Sequence, residues 1–166
     1  MKFGLRDARR EDFDTLWKID QECFPPGVSY SRMELALYMR RLGAFTVVAE
    51  AVLGRPGRRA REPLPILGFI VAEANKRGLG HIITIDVPSA ARRLGVGSSL
   101  LAAVEERARA AGCRSVYLET AVDNLGALAF YKRHGFFVVK TVPRYYSNGV
   151  DALVLRKDLL SGAEPE

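Results

Sequence analysis

The chain has 166 residues, of which 48% are hydrophobic and 27% charged, so it has the size of one globular domain with a substantial core. Its formal net charge of +6 suits an anionic cofactor or an acidic partner. Cys23 and Cys113 lie far apart, provide no metal spacing or disulfide framework, and favour a reduced compartment. The first residues turn polar too soon for a signal peptide, and no apolar run approaches ~18 residues. These features predict a soluble, cytoplasmic protein without a membrane span.

A short strand and two helices are predicted before the main sheet. Residues 3–5 alternate between apolar and polar, as in a strand. Apolar residues at helical spacing predict a helix over 12–23, which the Pro-Pro-Gly at 25–27 ends. Ser31 is predicted to cap a second helix, with Glu34 three residues later as its capping-box partner.

Three runs rich in β-branched and aromatic residues, at 45–52, 66–74 and 81–87, predict consecutive strands. The segment 54–63 is predicted to be the tip of a long hairpin rather than a domain boundary. It carries Arg55, Arg58, Arg59 and Arg61. Such a tip is most often a solvated loop, and a non-specific contact to ribosomal RNA or an acidic partner is the alternative.

The second half of the chain is predicted to contain two helices and three strands. These are a helix over 96–111, a strand over 115–120, a helix over 123–134, and strands over 136–142 and 152–156. The order predicts one α/β (α+β) domain over residues 1–160, with a mostly antiparallel first half and a β-α-β unit in the middle. The tail 161–166 is predicted to be disordered.

Residues 92–97 read Arg-Arg-Leu-Gly-Val-Gly and lie between a strand pattern and the start of a helix pattern. The first backbone N–H groups of a helix lack intrahelical partners, and the helix dipole favours negative charge there. Gly95 and Gly97 would let a diphosphate approach this backbone closely. The segment therefore predicts an anion site for a phosphorylated cofactor.

Two other interpretations of this turn remain. A dinucleotide fold is suggested by Glu119, which follows Gly97 by 22 residues at a predicted strand end. Against it, Leu100 stands in the place of the third glycine, and about seven residues separate strand and turn where that fingerprint has none or one. A purely structural turn is the second alternative.

The segment 92–97 resembles the Arg/Gln-x-x-Gly-x-Gly/Ala pyrophosphate loop of the GCN5-related N-acetyltransferase (GNAT) superfamily, and 124–136 resembles its second signature. Three further segments, at 80–82, 118–120 and 145–152, resemble the protein N-terminal α-amino acetyltransferases. That group includes the bacterial ribosomal-protein alanine acetyltransferases. The resemblance implies a mixed central sheet of about seven strands, splayed at the cofactor site and flanked by about four helices.

The resemblance, which runs from about residue 3 to 159, implies an N-acetyltransferase that moves acetyl from acetyl-CoA to the α-amine of a peptide or protein. A ribosomal protein is one expected substrate, and the enzyme is expected to be a monomer or homodimer. The first alternative is acetylation of a small-molecule amine or a lysine side chain. The second is a non-catalytic acyl-CoA sensor.

The resemblance also implies which residues hold the cofactor. Backbone groups of 85–87 would hold pantetheine and acetyl, amides of 93–98 the pyrophosphate, and Arg92 would add a fixed positive charge. The implied cofactor residues are Ile85, Asp86, Val87, Arg92, Arg93, Leu94, Gly95, Val96, Gly97, Ser98, Ser99, Asn124 and Tyr131. No metal ligand is expected.

For catalysis, the resemblance implies that Glu119 is the general base and Tyr131 the general acid, with His81 as a second candidate base. A peptide α-amine has a pKa of ~7.7–8.0, so a carboxylate can remove its proton at neutral pH. A tyrosine with a pKa of ~10 can then protonate the leaving thiolate, whose thiol has a pKa of roughly 8.5. The residues by themselves also allow a capping or salt-bridging Glu119, a core Tyr131 and a structural His81. His134, next to a helix end, is interpreted as structural.

Substrate contacts are implied for Tyr145 and Tyr146, which composition alone would treat as strand aromatics. The loop 24–30 is expected to form the opposing wall, through Phe24, Pro25 and Tyr30. Some relatives carry a catalytic glutamate in that loop, and this chain has no carboxylate there. Val150 stands where the family commonly has an acid.

Overall fold

The computed structural model describes residues 2–52, 63–75 and 77–159. Its seven strands are β1 (Lys2–Asp7), β2 (Ala44–Val52), β3 (Ile66–Ala74), β4 (Leu79–Asp86), β5 (Ser115–Ala121), β6 (Phe137–Val142) and β7 (Ala152–Asp158). Its four α-helices are α1 (Phe13–Cys23), α2 (Arg32–Arg40), α3 (Val96–Ala110) and α4 (Leu125–Arg133). No helix in these ranges is long and apolar enough to cross a membrane. The predicted hairpin-tip arginines Arg55, Arg58, Arg59 and Arg61, and the tail 161–166, lie outside the described residues.

The strands form one sheet in the order β1-β2-β3-β4-β5-β7-β6. Neighbouring strands are antiparallel except for β4 and β5, which are parallel and joined through α3. The predicted mixed sheet, its four flanking helices and its central β-α-β unit are therefore confirmed. A parallel pair needs a long crossover, and the fifteen-residue helix α3 supplies it.

Local signals explain where the first two helices begin. Glu34 donates its N–H to the Ser31 hydroxyl oxygen at 3.1 Å, and Ser31 donates its N–H to the Glu34 carboxylate at 3.0 Å. This is the predicted capping box. The first helix starts at Phe13 rather than at residue 12, because the Asp12 carboxylate accepts the Arg9 N–H at 2.6 Å and pairs with Arg6 at 2.8 Å. Asp12 therefore belongs to a single 3₁₀ turn, Arg10–Asp12.

The central strands bury side chains on both faces, so the sheet has a hydrophobic cluster on each side. One cluster joins the first two helices to the sheet and contains Leu16, Ile19, Leu35, Val48, Phe69 and Val71. The other includes Leu100, Leu101 and Val104 of α3 together with Val47, Ile70 and Ala72. The alternation along β2 and β3 follows the period-two direction of strand side chains. Each fully buried leucine contributes about 1.5–3 kcal/mol.

The two parallel strands separate toward their carboxyl ends. They pair only where Leu79–His81 faces Ser115–Tyr117, although β4 runs on to Asp86 and β5 to Ala121. The register between β3 and β4 also shifts after Val71, which leaves Ile83 as an extra residue on β4. The far part of β4 therefore has backbone N–H and C=O groups without a β5 partner, and a cavity opens there.

Candidate active site

A cavity of about 450 Å³ lies between the separated strands. Most residues predicted for the cofactor, the substrate and catalysis line it. They are Phe24, Tyr30, His81, Ile85, Val87, Arg92, Arg93, Gly95, Val96, Gly97, Ser98, Glu119, Asn124, Tyr131, Tyr145 and Tyr146. One continuous space thus joins residues from both halves of the chain.

Four predicted site residues do not line this cavity: Pro25, Asp86, Leu94 and Ser99. The Ser99 N–H donates to the Gly95 carbonyl at 3.1 Å as part of α3, so it is not free for a diphosphate. The Asp86 carboxyl is fully buried, and only the backbone of this residue was expected to contact the cofactor. The Pro25 carbonyl accepts the N–H groups of Val28 and Ser29 and closes the turn of its own loop.

The glycine turn forms the N-terminal end of α3. Gly95 takes a left-handed φ of 82° immediately before the helix, and the first turn contains no acidic residue. A Cβ atom at Gly97 would lie 3.3 Å from the ring of Phe130, so a side chain there would crowd the helix that borders the cavity. The helix amides and the neighbouring Arg92 and Arg93 form a site that fits a diphosphate.

Hydrogen bonds hold several polar side chains in place around the glycine turn and the start of α4. Asn124 caps α4 by accepting the Ala127 N–H at 3.1 Å on its side-chain oxygen, which leaves its NH₂ group to donate elsewhere. Arg92 donates from Nε to the Val87 carbonyl at 3.0 Å. Ser98 and His134 lie 3.0 Å apart through Oγ and Nε2, so His134 is held against the start of α3.

Glu119 and His81 form the polar centre of the cavity. His81 is the last residue of β4 that pairs with β5, opposite Tyr117, and its ring stacks on the tyrosine ring at 4.3 Å. Glu119 lies two residues beyond Tyr117, on the same face of β5. The His81 Nε2 atom is consequently 2.9 Å from both carboxylate oxygens of Glu119. The Tyr145 hydroxyl donates to the same carboxylate at 3.2 Å.

Tyr131 projects from α4 into the cavity wall. Its side chain is almost fully buried and packs edge-on against Phe130 and Phe136, with ring centroids 5.3 Å and 5.5 Å away. Burial, with a smaller contribution from the charge of Asp86, raises the pKa of this phenol above its usual value. Tyr131 is therefore a protonated hydroxyl at neutral pH.

The two loops predicted to form the walls of the substrate site are hydrogen-bonded to each other. Ser147 donates to the Gly27 carbonyl from its N–H at 3.2 Å and from its hydroxyl at 3.1 Å. Gly27 has a φ of 89°, and a Cβ atom there would lie 2.6 Å from the Cβ of Asn148. Only glycine fits where these loops cross. The loop between α1 and α2 and the loop between β6 and β7 therefore meet beside the cavity.

Tyr30 is held in place from four directions. Its N–H donates to Asp20 at 2.7 Å, its carbonyl accepts from Trp17 at 3.2 Å and Gln21 at 2.7 Å, and its hydroxyl donates to the Ile83 carbonyl at 3.3 Å. The last contact uses a carbonyl of the extra residue on β4. Tyr30 therefore couples the first substrate wall to the strand beside the cofactor groove.

Sequence reasoning missed a buried pair of carboxyl groups below this loop. Asp20 of α1 and Asp86 of β4 are both fully buried and interact with each other, and each has one carboxyl oxygen without a hydrogen-bond partner among the described residues. Burial raises the pKa of both carboxyls, and that of Asp86 lies well above its usual range. One feature of the sequence indicated this pair, because Asp20 lies on the apolar face of a predicted helix. Its partner Asp86 is 66 residues away, so local patterns could not identify it.

Comparisons with known proteins show which family the chain belongs to. The model of the acetyltransferase (GNAT) family matches residues 13–136. An N-alpha-acetyltransferase of Sulfurisphaera tokodaii is 30% identical over 162 residues, which cover 95% of this chain and 94% of the relative. The match thus includes the glycine turn, Glu119 and Tyr131.

Solved structures with the same fold include Ard1 from Thermoplasma volcanium, with a TM-score of 0.81 and 26% identity over 97% of this chain and all of that one. The NatC complex bound to Gag peptide and CoA contains a chain with a TM-score of 0.73 and 25% identity, covering 95% of this chain and 99% of that one. With a family model matching most of its length and a relative aligned along nearly all of it, the chain belongs to the acetyltransferase (GNAT) family and is an acetyl-CoA-dependent N-acetyltransferase.

Proposed function

We propose that this enzyme transfers acetyl from acetyl-CoA to the free α-amine of a peptide or protein N-terminus. The observation that carries the proposal is the shared cavity: Glu119, His81 and Tyr131 line the same space as the glycine turn and both substrate walls. The names of the Sulfurisphaera relative and of the peptide-bound NatC structure support the same substrate class.

Acetyl-CoA, when bound, supplies a thioester whose acyl carbon accepts the amine. The amides at the start of α3, with Arg92 and Arg93, would hold its diphosphate. The free edge of β4, at Ile85 and Val87, and the NH₂ group of Asn124 would hold the pantetheine arm. Backbone N–H groups on that edge are also the donors available to a developing oxyanion.

Glu119 would act as the general base. Its carboxylate is oriented by Tyr145 and lies against His81, so one oxygen can accept a proton from the substrate ammonium. An α-amine with a pKa of ~7.7–8.0 loses its proton to a carboxylate more readily than a lysine amine with a pKa of ~10.4. This difference favours N-terminal over lysine acetylation.

Tyr131 would act as the general acid. It is a protonated phenol in the cavity wall and would donate its proton to the leaving sulfur as the C–S bond breaks. The attacking nitrogen gives up a second proton as the amide forms, and that proton, carried through solvent, would restore the Tyr131 phenol before the next turnover.

The linked loops would form the peptide channel. Tyr145 and Tyr146 line one side and Phe24 and Tyr30 the other, and Gly27 and Ser147 join the two walls. Aromatic walls with backbone groups at their edges suit an extended peptide, whereas a small cationic amine prefers an enclosed acidic pocket.

The test is an incubation with acetyl-CoA and peptides that carry both a free α-amine and an internal lysine, followed by mass-spectrometric location of the acetyl group. The panel varies the first residue among Ala, Ser and Met and includes a ribosomal-protein N-terminus. The matched control is the same peptide with a blocked α-amine. We expect acetylation on the α-amine alone and no product from the blocked peptide. Acetyl on lysine, or rapid turnover of spermidine without peptide product, would overturn the proposal.

A further inference from the structure

We propose that Arg133 binds the 3′-phosphate of coenzyme A, so that the enzyme distinguishes this cofactor from its 3′-dephospho form. The nucleotide end of the cofactor carries two separate anionic groups, the diphosphate and a phosphate monoester on the ribose. The glycine turn and its arginines account for the diphosphate alone. A phosphate monoester carries about −1.5 to −2 charges at pH 7, so it requires a cation of its own.

The position of Arg133 follows from the packing of α4 against the start of α3. A Cβ atom at Gly97 would lie 3.3 Å from the Phe130 ring. The Ser98 hydroxyl oxygen lies 3.0 Å from Nε2 of His134. Arg133 comes between these two α4 contacts in the sequence, in the last turn of the helix, and it lines the cavity. Its side chain is therefore next to the helix start that would hold the diphosphate.

The guanidinium group of Arg133 is available to a ligand. Its side chain is exposed and makes no ion pair within the ranges 2–52, 63–75 and 77–159. Among the described residues that line the cavity, Glu119 is the only carboxylate, and His81 and Tyr145 already contact it. A guanidinium group can donate two parallel hydrogen bonds to phosphate oxygens. Arg133 thus has the chemistry that a phosphate monoester requires.

Two other arginines among the described cavity residues are placed for the diphosphate. Arg92 is held by its Nε bond to the Val87 carbonyl at 3.0 Å, which keeps it on the β4 side of the glycine turn. Arg93 belongs to the turn itself and has a φ of 66°. The pantetheine arm would occupy the β4 side of the turn, so the ribose would leave on the side that α4 borders. Arg133 is the arginine on that side.

The test uses two ligands that differ only in the 3′-phosphate. Calorimetric titration at one ionic strength measures the Kd for CoA and for 3′-dephospho-CoA. We expect the wild-type enzyme to bind CoA about tenfold more tightly, because a hydrogen-bonded charge pair is lost with the phosphate. Arg133→Gln should bind CoA about tenfold more weakly and 3′-dephospho-CoA as tightly as wild type does. Arg133→Lys should recover part of the loss, since it keeps the charge but not the paired donors.

Two variants serve as controls. Lys132→Gln removes the adjacent positive charge from the same turn of α4, on an exposed side chain that does not line the cavity. It should change either Kd by less than about twofold, because solvent screens an exposed charge at a distance. Arg93→Gln should weaken both ligands by the same factor, because both carry the diphosphate.

Three results would overturn the proposal. Equal affinity of the wild-type enzyme for the two ligands would show that the 3′-phosphate is not recognised. An equal loss for both ligands in Arg133→Gln would assign this arginine to the diphosphate. Unchanged CoA binding in Arg133→Gln would leave Arg133 as a cation that complements the dipole at the end of α4. The measurement needs no amine substrate, so its outcome is independent of whether peptides are acetylated.

Discussion

The Glu119 carboxylate illustrates how single residues define this site. It is 14% exposed, accepts the Tyr145 hydroxyl and lies 2.9 Å from His81. These partners orient the carboxylate that lines the cavity. Its orientation, rather than its mere presence in the sequence, makes it a suitable base.

Replacing Glu119 by Gln should lower kcat for a peptide α-amine by about 10²–10⁴-fold, because the amide cannot accept the ammonium proton. The Kd for acetyl-CoA should stay the same, since the cofactor groove lies at β4 and α3. Steady-state kinetics and calorimetric titration measure the two quantities. Glu106→Gln, an exposed residue of α3, is the control. Loss of cofactor binding in Glu119→Gln would indicate a structural role.

Tyr131→Phe should keep the packing against Phe130 and Phe136 and remove only the hydroxyl. We expect normal acetyl-CoA binding and a kcat about 10²-fold lower at neutral pH, because the leaving thiolate has lost its proton donor. A binding assay combined with single-turnover kinetics separates the two effects. Unchanged turnover would assign Tyr131 to the core, and unchanged binding with lost turnover would exclude a non-catalytic sensor.

At the scale of elements, the site depends on pieces that lie far apart in the chain. The β4–β5 register stops at His81, which opens the groove, and the contact of Gly27 with the loop after β6 closes one side of it. The strand, turn and helix patterns were predictable because each depends on near neighbours. The separation of β4 from β5 was implied only by the family resemblance, because it depends on pairing between residues 36 positions apart, such as His81 and Tyr117.

The loop contact gives a prediction at this scale. Gly27→Ala places a Cβ atom 2.6 Å from Asn148 in a residue with a φ of 89°, so the loops must separate. We expect the KM for peptide to rise several-fold and the stability to fall by about 1–2 kcal/mol. Gly112→Ala has a similar φ of 84° and no atom within 4 Å of the added Cβ, so it is the matched control for backbone strain. An equal KM in the two variants would show that the loop contact does not shape the peptide site.

At the scale of the whole molecule, the Asp20–Asp86 pair joins the helical layer to the central sheet. In an unfolded chain an aspartate titrates near ~3.9. Burial raises the pKa of Asp86 well above that value in the folded protein, and contact with Asp20 adds to the shift. The folded state therefore retains a proton that the unfolded chain releases. The contribution of this proton to the free energy of unfolding is fully present below pH ~3.9 and is lost as the pH rises toward the folded-state pKa.

Asp86→Asn removes this titration and can still donate a hydrogen bond to Asp20. We expect its free energy of unfolding relative to wild type to increase by at least about 1 kcal/mol between about pH 4 and pH 7. Urea unfolding at several pH values measures the difference. Asp158→Asn, whose side chain is 61% exposed, should show a much smaller change. A pH-independent difference between Asp86→Asn and wild type would contradict a shared proton.

The sequence by itself determined the order of the elements, the capping box at Ser31 and Glu34, the glycine turn and the family, because each rests on local spacing or on a contiguous motif. Only the tertiary structure decided that His81 lies against Glu119, that Asp20 meets Asp86, and that Gly27 lies against Asn148. These contacts depend on strand register and on the angles at which helices pack. Many residues contribute to such geometry, and no single stretch of sequence records it.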